Sequence, residues 1–504
     1  MKRYISLAIA LLLTASLLAG CGGGKPETPS IEPTPDYFSD YDPNTPPTEP
    51  GEISLPISAA PVTFEYWTPS FAMFENLDTS FYDEIAAETG VTLSLLVPPV
   101  GTESENFMGI VLSGEYPDFM SSVNSYYQGG ADKALGDGFI VRLNEAVDRW
   151  MPNYRVVVER DEATFIDCVN DSGDIWGIHT IADAPSGANA GLGVRADWLD
   201  KLGMSVSDLE TVDGLGRALE GFKQYTTDGE GPLWLGEHSV CNAYVLNGSW
   251  GYAGVSYSPF INKDGRAVYA AYEGLQGYAA TMADWYAKGL INQNYITRSE
   301  MSAPEDMWAH GYIGAGDFGF ADGDGLKSLA ASSEIAPDPD FRLVGITTPK
   351  VSAADDWSDI HLRRCSPAVD TSNSISILST CSDLKIACEY WNYVISLADK
   401  NRVETELPEA YTANMDAWDR VGCDWVFPEN AALTYDESVS VSSAINNCAI
   451  AANEWLTKVI VGEKSADSYP ELIEQLENDM EVGRVTEAYQ AALDRYFARA
   501  SFMK

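Results

Sequence analysis

Along most of this chain apolar positions recur in short runs, and the one long apolar block lies at the start. Tyr4 to Leu18 is predominantly apolar, with only Ser6, Thr14 and Ser16 polar, behind Lys2 and Arg3. At about 15 residues it is shorter than the roughly 20 that cross a bilayer, so it reads as the core of an export signal. No later run is long enough to span a membrane. From Val62 onward two periods take turns. VTFEYW alternates with period two and predicts a strand, Leu77 to Gly90 has helical spacing with a glycine stop, and Thr92 to Val97 predicts a second strand. A β-α-β opening with this connection length predicts parallel strands. FMGIVLSGEYPDFMSSV predicts a helix ended at Ser113-Gly114 and a short strand after Pro117-Asp118. ADKALGDGFIVRLNEAVDRWMPNYRVVVE adds a helix, a glycine turn and an amphipathic helix closed by Met151-Pro152-Asn153. This alternation is that of a doubly wound α/β sheet.

The apolar block ends in Leu18-Ala19-Gly20-Cys21, which resembles the bacterial lipoprotein cleavage box, and the resemblance implies that Cys21 is acylated and becomes the mature N-terminus. Residues 1–20 are then a lipoprotein signal peptide. Gly22-Gly23-Gly24 and the Pro-, Thr-, Asp- and Glu-rich run from Lys25 to Glu52 offer almost no apolar surface to offset ordering entropy, so 21–60 is expected to be a flexible tether. The globular body is expected to begin near Pro61, outside the cell membrane and attached through Cys21.

Charge narrows the partners. The formal net charge is −44, and loss of Lys2 and Arg3 with the leader makes it −46. Such a field repels nucleic acid and anionic lipid. Seven cysteines remain after Cys21, with no CxxC pair and no zinc-like spacing, so most are expected to be buried thiols. The four histidines form no HExxH, and neither a GxSxG elbow nor a phosphate loop is present. Asp322 and Asp324 in GFADGDGLKS lack the ligand pattern of a calcium loop, and NKDGRAV at 262–268 has too few carboxylates for one. Carboxylate pairs for glycoside hydrolysis are not excluded, because their separation is spatial.

Four segments in order, SGEYPDFM, GDGFIVRLNEAVDRWMPNY, GDIWGIHTI and GVRADWLDKLGM, resemble the extracellular solute-binding lipoproteins of bacterial ABC importers, in particular the sugar-binding group related to the lipoprotein LplA. YSPFINKDGRAVYAAYEGLQGYAATMADWYAKGLIN and VGRVTEAYQAALDRYFAR extend the resemblance over nearly all of the mature body. It implies a periplasmic-binding-protein-like fold of type II, two α/β lobes with a three-crossing hinge closing on a ligand. The crossings are expected near 186–194, within 344–369 and after Leu397. The lobes would comprise 61–190 with 350–400, and 191–349 with 401–504.

A sugar site needs flat apolar surfaces for ring faces and fixed polar groups for hydroxyls. Open α/β sheets bind ligands at the carboxyl ends of their strands. The stacking candidates are Trp67, Trp176, Trp250, Tyr252 and Trp357, with Trp418 and Trp425 behind them; Trp198, Trp285 and Trp391 have helical spacing and are expected in cores. Polar candidates are Asp118, which the resemblance puts at the cleft mouth, Arg195 and Asp317, with His179 weaker. Asp118 could equally serve as a turn residue, and Arg195 as a salt bridge. Arg363 and Arg364 with Arg195 could form a basic patch for an acidic glycan. The function expected is a non-enzymatic, lipid-anchored receptor on the extracellular face that captures a carbohydrate, an oligosaccharide, and hands it to ABC permease subunits, with no cofactor, metal or nucleic acid. The alternatives are a peptide or other small polar solute as ligand, or a lipid-anchored glycoside hydrolase.

Overall fold

A computed structural model describes residues 38–39, 41–42, 44–69, 80–182, 191–227, 231–234, 246–251, 259–293, 295, 304–318, 327–328, 330–333, 337–361, 368–400, 409–421 and 426–503. Its strands are, in chain order, β1 (Val62–Trp67), β2 (Val91–Leu96), β3 (Phe119–Ser121), β4 (Ile178–Ile181), β5 (Gly191–Arg195), β6 (Leu233–Trp234), β7 (Phe260–Ile261), β8 (Ala267–Val268), β9 (Ala315–Phe318), β10 (Leu343–Ile346) and β11 (Val369–Ile377). They form one sheet in the order β2-β1-β3-β11-β4, a second in the order β10-β5-β9-β6, and a β7-β8 hairpin.

In the first sheet β1 and β2 pair in parallel from Val62↔Val91, joined through the helix Ser80–Thr89. The helix Glu103–Ser113 ends at Gly114, whose φ of 72° is a left-handed conformation that glycine adopts without a Cβ penalty. Met151-Pro152-Asn153 differs from the reading of a stop alone. Pro152 opens a second helix, Pro152–Val158, because the first turn has no use for the N–H that proline lacks. Phe64, Phe119, Tyr154 and Trp391 share this lobe's core.

The second sheet is rich in glycine for a packing reason. A Cβ on Gly191 would lie 2.3 Å from the Trp418 ring, and one on Gly345 would lie 2.9 Å from it. The helix Glu409–Trp418 therefore rests on bare backbone, and Trp418 Nε1 donates to the Leu192 carbonyl at 3.2 Å. Trp198, Phe222, Tyr278, Trp285 and Trp455 fill the second core.

The registers place the links between the sheets. In the first sheet Ile181 ends β4 beside Val369, which begins β11; in the second, Leu192 near the start of β5 faces Ile346 at the end of β10. The β4-to-β5 and β10-to-β11 connections therefore join the same two sheet ends. Those ends carry the carboxyl termini of β1, β2, β3 and β4 on one lobe and of β6, β9 and β10 on the other.

The C-terminal part does not belong wholly to the second lobe, as 401–504 was expected to. Phe427 and Ala431 pack against the first core, the helix Tyr435–Ile460 runs into the second core through Trp455, and the helix Val482–Ala498 returns to the first through Tyr496. Asp171 fixes this return by receiving Arg495 at 2.7 Å and Arg499 at 2.6 Å. Expected to lie free as far as 60, the chain in fact touches the first lobe from Phe38, whose ring is 5.6 Å from that of Trp150. Tyr41 donates to Asp148 at 2.7 Å, and Ile53 and Ile57 lie against the core.

Candidate functional site

Two loops of the second lobe meet at the end that faces the links. The first follows β6: Leu246 is fully buried and anchors the turn Asn247–Trp250, which ends at Gly251 with φ of 72°. The helix Leu275–Ala287 comes close enough that a Cβ on Gly274 would lie 1.8 Å from the Trp250 carbonyl. Trp250 meets Tyr278 edge to face at 5.2 Å and remains half-buried. The second loop follows β10. Thr347 Oγ1 donates to the Ala417 carbonyl at 2.8 Å, the Lys350 amide donates to the Glu210 carbonyl at 3.0 Å, and the Lys350 carbonyl accepts from Val212 at 2.8 Å. Asp356 then caps the turn Trp357–Asp359 by accepting from the Ser358 amide at 3.0 Å, which is the main cause that holds its carboxyl below the usual range. The two loops touch through backbone. A Cβ on Gly248 would lie 1.6 Å from the His361 carbonyl oxygen, so only glycine permits the contact.

This junction contains buried polar groups that no described residue satisfies. Asn247 is 1% exposed, and among the described residues neither its Nδ2 nor its Oδ1 has a hydrogen-bond partner; Ser249 Oγ is buried in the same condition. A buried polar group without a partner costs about 1–3 kcal/mol. Both side chains are thus suited to a hydrogen-bonding group from outside the chain, such as a hydroxyl. Trp357, half-buried nearby in sequence to His361, has Lys350 Nζ 4.3 Å from its ring centroid and Arg420 Cζ 4.1 Å from it. Arg420 also pairs with Glu210 at 2.9 Å, and Lys263 pairs with Asp359.

The other sequence candidates fall elsewhere. Trp67 stands at the carboxyl end of β1, but it is 1% exposed, donates to Asn106 Oδ1 at 2.7 Å and lies edge-on to Phe107 and Tyr126, so no ring face is open. Asp118 precedes β3 at the opposite end from the links. Its carboxylate accepts from the amides of Glu65 and Ser382, each at 2.9 Å, which is the turn role and not a cleft-mouth role. Trp176 is buried against His179 at 4.7 Å before the start of β4. His179 bonds Ser374 and the Cys168 carbonyl, and burial lowers its pKa to about 4. Arg195 ends β5 away from the links, 1% exposed, with both Asp197 oxygens at 2.8 Å, Asp338 beside it, and Trp198 and Phe341 each 4.5 Å from its guanidinium carbon. Asp317 in β9 is half-buried, one residue from the linking end. Tyr252, Cys21, Trp425, Arg363, Arg364, Asp322 and Asp324 lie outside the described residues. Cys168, Cys381, Cys388 and Cys448 are buried thiols, and burial raises Cys381 to about 12 and Cys448 to about 11. No group of three or more His, Cys, Asp or Glu side chains able to hold a metal occurs among the described residues, and no described helix is long and apolar enough to cross a membrane.

Asn247, Ser249, Lys350 and Arg420 were not singled out from sequence. Asn-Gly-Ser directly before Trp250 was the available signal, though it reads equally as an ordinary turn.

No family model matches the sequence, and no curated protein matches it. Among solved structures, the chain is similar to alginate-binding protein AlgQ2, at 18% identity over 88% of this chain and 100% of that one, with a TM-score of 0.62. It is also similar to an HMO-binding, ABC-transporter-associated solute-binding protein from Bifidobacterium longum infantis (14% identity, 87% and 99% covered, TM-score 0.65). A third is the Streptococcus pneumoniae ABC-transporter substrate-binding protein FusA in complex with kestose (14% identity, 86% and 99% covered, TM-score 0.62). At these identities the likeness is one of fold. The chain has the periplasmic-binding-protein-like α/β fold of solute-binding proteins.

Proposed function

We propose that this protein is the carbohydrate-capturing receptor of an ABC importer, held on the extracellular face of the cell membrane by a lipid at Cys21. The observation in this chain that carries the reading is the junction of the two loops at the linking end, where Asn247 and Ser249 are buried beside Trp250 without partners among the described residues. Fixed polar groups next to an indole are what a pyranose recognises, through its hydroxyls and its C–H face. Similarity to solved binding proteins named for alginate, HMO and kestose supports an oligosaccharide over a peptide or other small solute.

Capture works by population shift. Paired links allow the lobes to hinge, and a ligand that touches both lobes binds the closed form more tightly and raises its share. ABC permease subunits then recognise the closed pair of lobes, and a separate subunit supplies ATP hydrolysis. No residue of this chain performs covalent chemistry.

A thermal-shift panel of the purified chain against neutral oligosaccharides, uronate oligosaccharides, monosaccharides and peptides tests the ligand class. At a hundredfold excess over its dissociation constant, a ligand of the folded state adds about 2.7 kcal/mol. A shift with an oligosaccharide that is recovered intact is the expected result. A shift with peptides alone refutes the carbohydrate reading, and release of cleaved sugar refutes the receptor reading. For the anchor, labelled palmitate should enter the wild-type chain and not Cys21→Ser, and equal labelling of both refutes it.

A further inference from the structure

Trp357 was expected to offer a bare face to a sugar ring, yet two cations approach its ring, Lys350 at 4.3 Å and Arg420 at 4.1 Å. A cation over an indole is held by the ring quadrupole, so this residue supports positive charge at the junction. The setting makes that unusual. Acidic residues outnumber basic ones by 75 to 31, and Lys201, Lys263, Lys288 and Lys458 each have a carboxylate within ion-pair distance. Lys350 has none among the described residues.

Its main chain is fixed on both sides, by the Glu210 carbonyl at 3.0 Å and the Val212 amide at 2.8 Å, so the ammonium is aimed by rigid backbone as well as by the indole. Arg420 is anchored by Glu210 at 2.9 Å and keeps further donors of its guanidinium fork. Asp356 feels the charge of Lys350 without forming an ion pair with it, its Oδ1 accepting from the Ser358 amide, and Asp359 pairs with Lys263.

An acidic protein repels an anionic ligand at long range, so it can hold one only where local cations outweigh that field. We propose that the captured oligosaccharide carries carboxylates, as a uronate-containing glycan does, and that Lys350, with Arg420, receives one of them beside Trp357. A carboxylate on the sugar ring lies at the ring's edge, so hydroxyls can meet Asn247 and Ser249 while the charge meets the cations. This inference rests on the reading that a glycan binds at the junction, and it adds the ligand's charge.

The test is isothermal titration of the purified chain with a tetrauronate, its carboxyl-reduced neutral counterpart and a sulfated tetrasaccharide, repeated with Lys350→Gln and Lys350→Arg. The tetrauronate should bind at least about tenfold more tightly than the neutral form, about 1.4 kcal/mol. Lys350→Gln should lose about tenfold toward the tetrauronate and nothing toward the neutral form, and Lys350→Arg should restore most of the loss, which a folding defect would not allow. Equal or tighter binding of the neutral glycan, or an unchanged Lys350→Gln, overturns the inference while leaving carbohydrate capture standing. Preference for the sulfated glycan overturns the carboxylate assignment, and absence of binding by any glycan overturns this inference and the receptor reading together.

Discussion

The two ends of the second sheet handle polar groups in opposite ways. At the end remote from the links, Arg195 is saturated: both Asp197 oxygens, Asp338 and two aromatic rings surround it. At the linking end, Asn247 and Ser249 are buried with no partner among the described residues, and Lys350 has an indole but no carboxylate within ion-pair distance among them. One sheet thus ends in a finished structural network on one side and in unspent donors and acceptors on the other. A stable fold tolerates the second condition where an outside group completes it.

Substitutions can break this contrast, and the largest effect belongs to the saturated end. Arg195→Ala removes the buried guanidinium shared by Asp197 and Asp338, leaves Asp197 only Lys201 at 3.6 Å, and should cost about 3–5 kcal/mol, since removing one partner of a buried pair strands the other charge. Denaturant titration measures this, and glycan affinity of the folded fraction should stay unchanged.

Acid gives the next effect, in the first lobe. His179 is buried as neutral imidazole with a pKa near 4, while the unfolded chain takes up a proton near 6.5. Its contribution is complete above about pH 6.5 and is lost as pH falls toward about 4, in total about 3 kcal/mol. Urea midpoints at pH 7, 6 and 5 should fall, and His179→Gln should fall less over that window.

Much of the fold was legible in the sequence because local patterns set it. Alternation gave β1 and β2, Gly114 stopped its helix, and helical spacing buried Trp198, Trp285 and Trp391. What failed was the inference from loop position to exposure. Trp67 and Trp176 stand next to turns yet are buried, Trp67 against Asn106 and Tyr126 and Trp176 in a core cluster with Phe139 and Leu378, which no local pattern announces. Asp118 was a turn residue whose partners, Glu65 and Ser382, come from two different segments. Lys350 had no signature at all, since its meaning comes from Trp357 and Arg420 meeting it in space.

Smaller effects sharpen the contrast at the open end. Gly248→Ala forces the two loops apart against the His361 carbonyl and should weaken glycan binding along with stability, by about 1–3 kcal/mol of overpacking. Asn247→Ala should behave unlike Arg195→Ala. It removes an amide that makes no bond among the described residues, so the unfolding free energy should change by less than about 1 kcal/mol while glycan affinity falls about tenfold. Calorimetric titration alongside urea unfolding separates the two.

The most direct test of where the ligand is held is hydrogen exchange of the purified chain with and without a saturating glycan from the thermal-shift panel. Slowed exchange should concentrate in peptides covering 246–251 and 347–361, with peptides around Asp118 and Arg195 unchanged. Protection confined to the remote end of the second sheet, or none in either loop at saturation, contradicts capture at the junction.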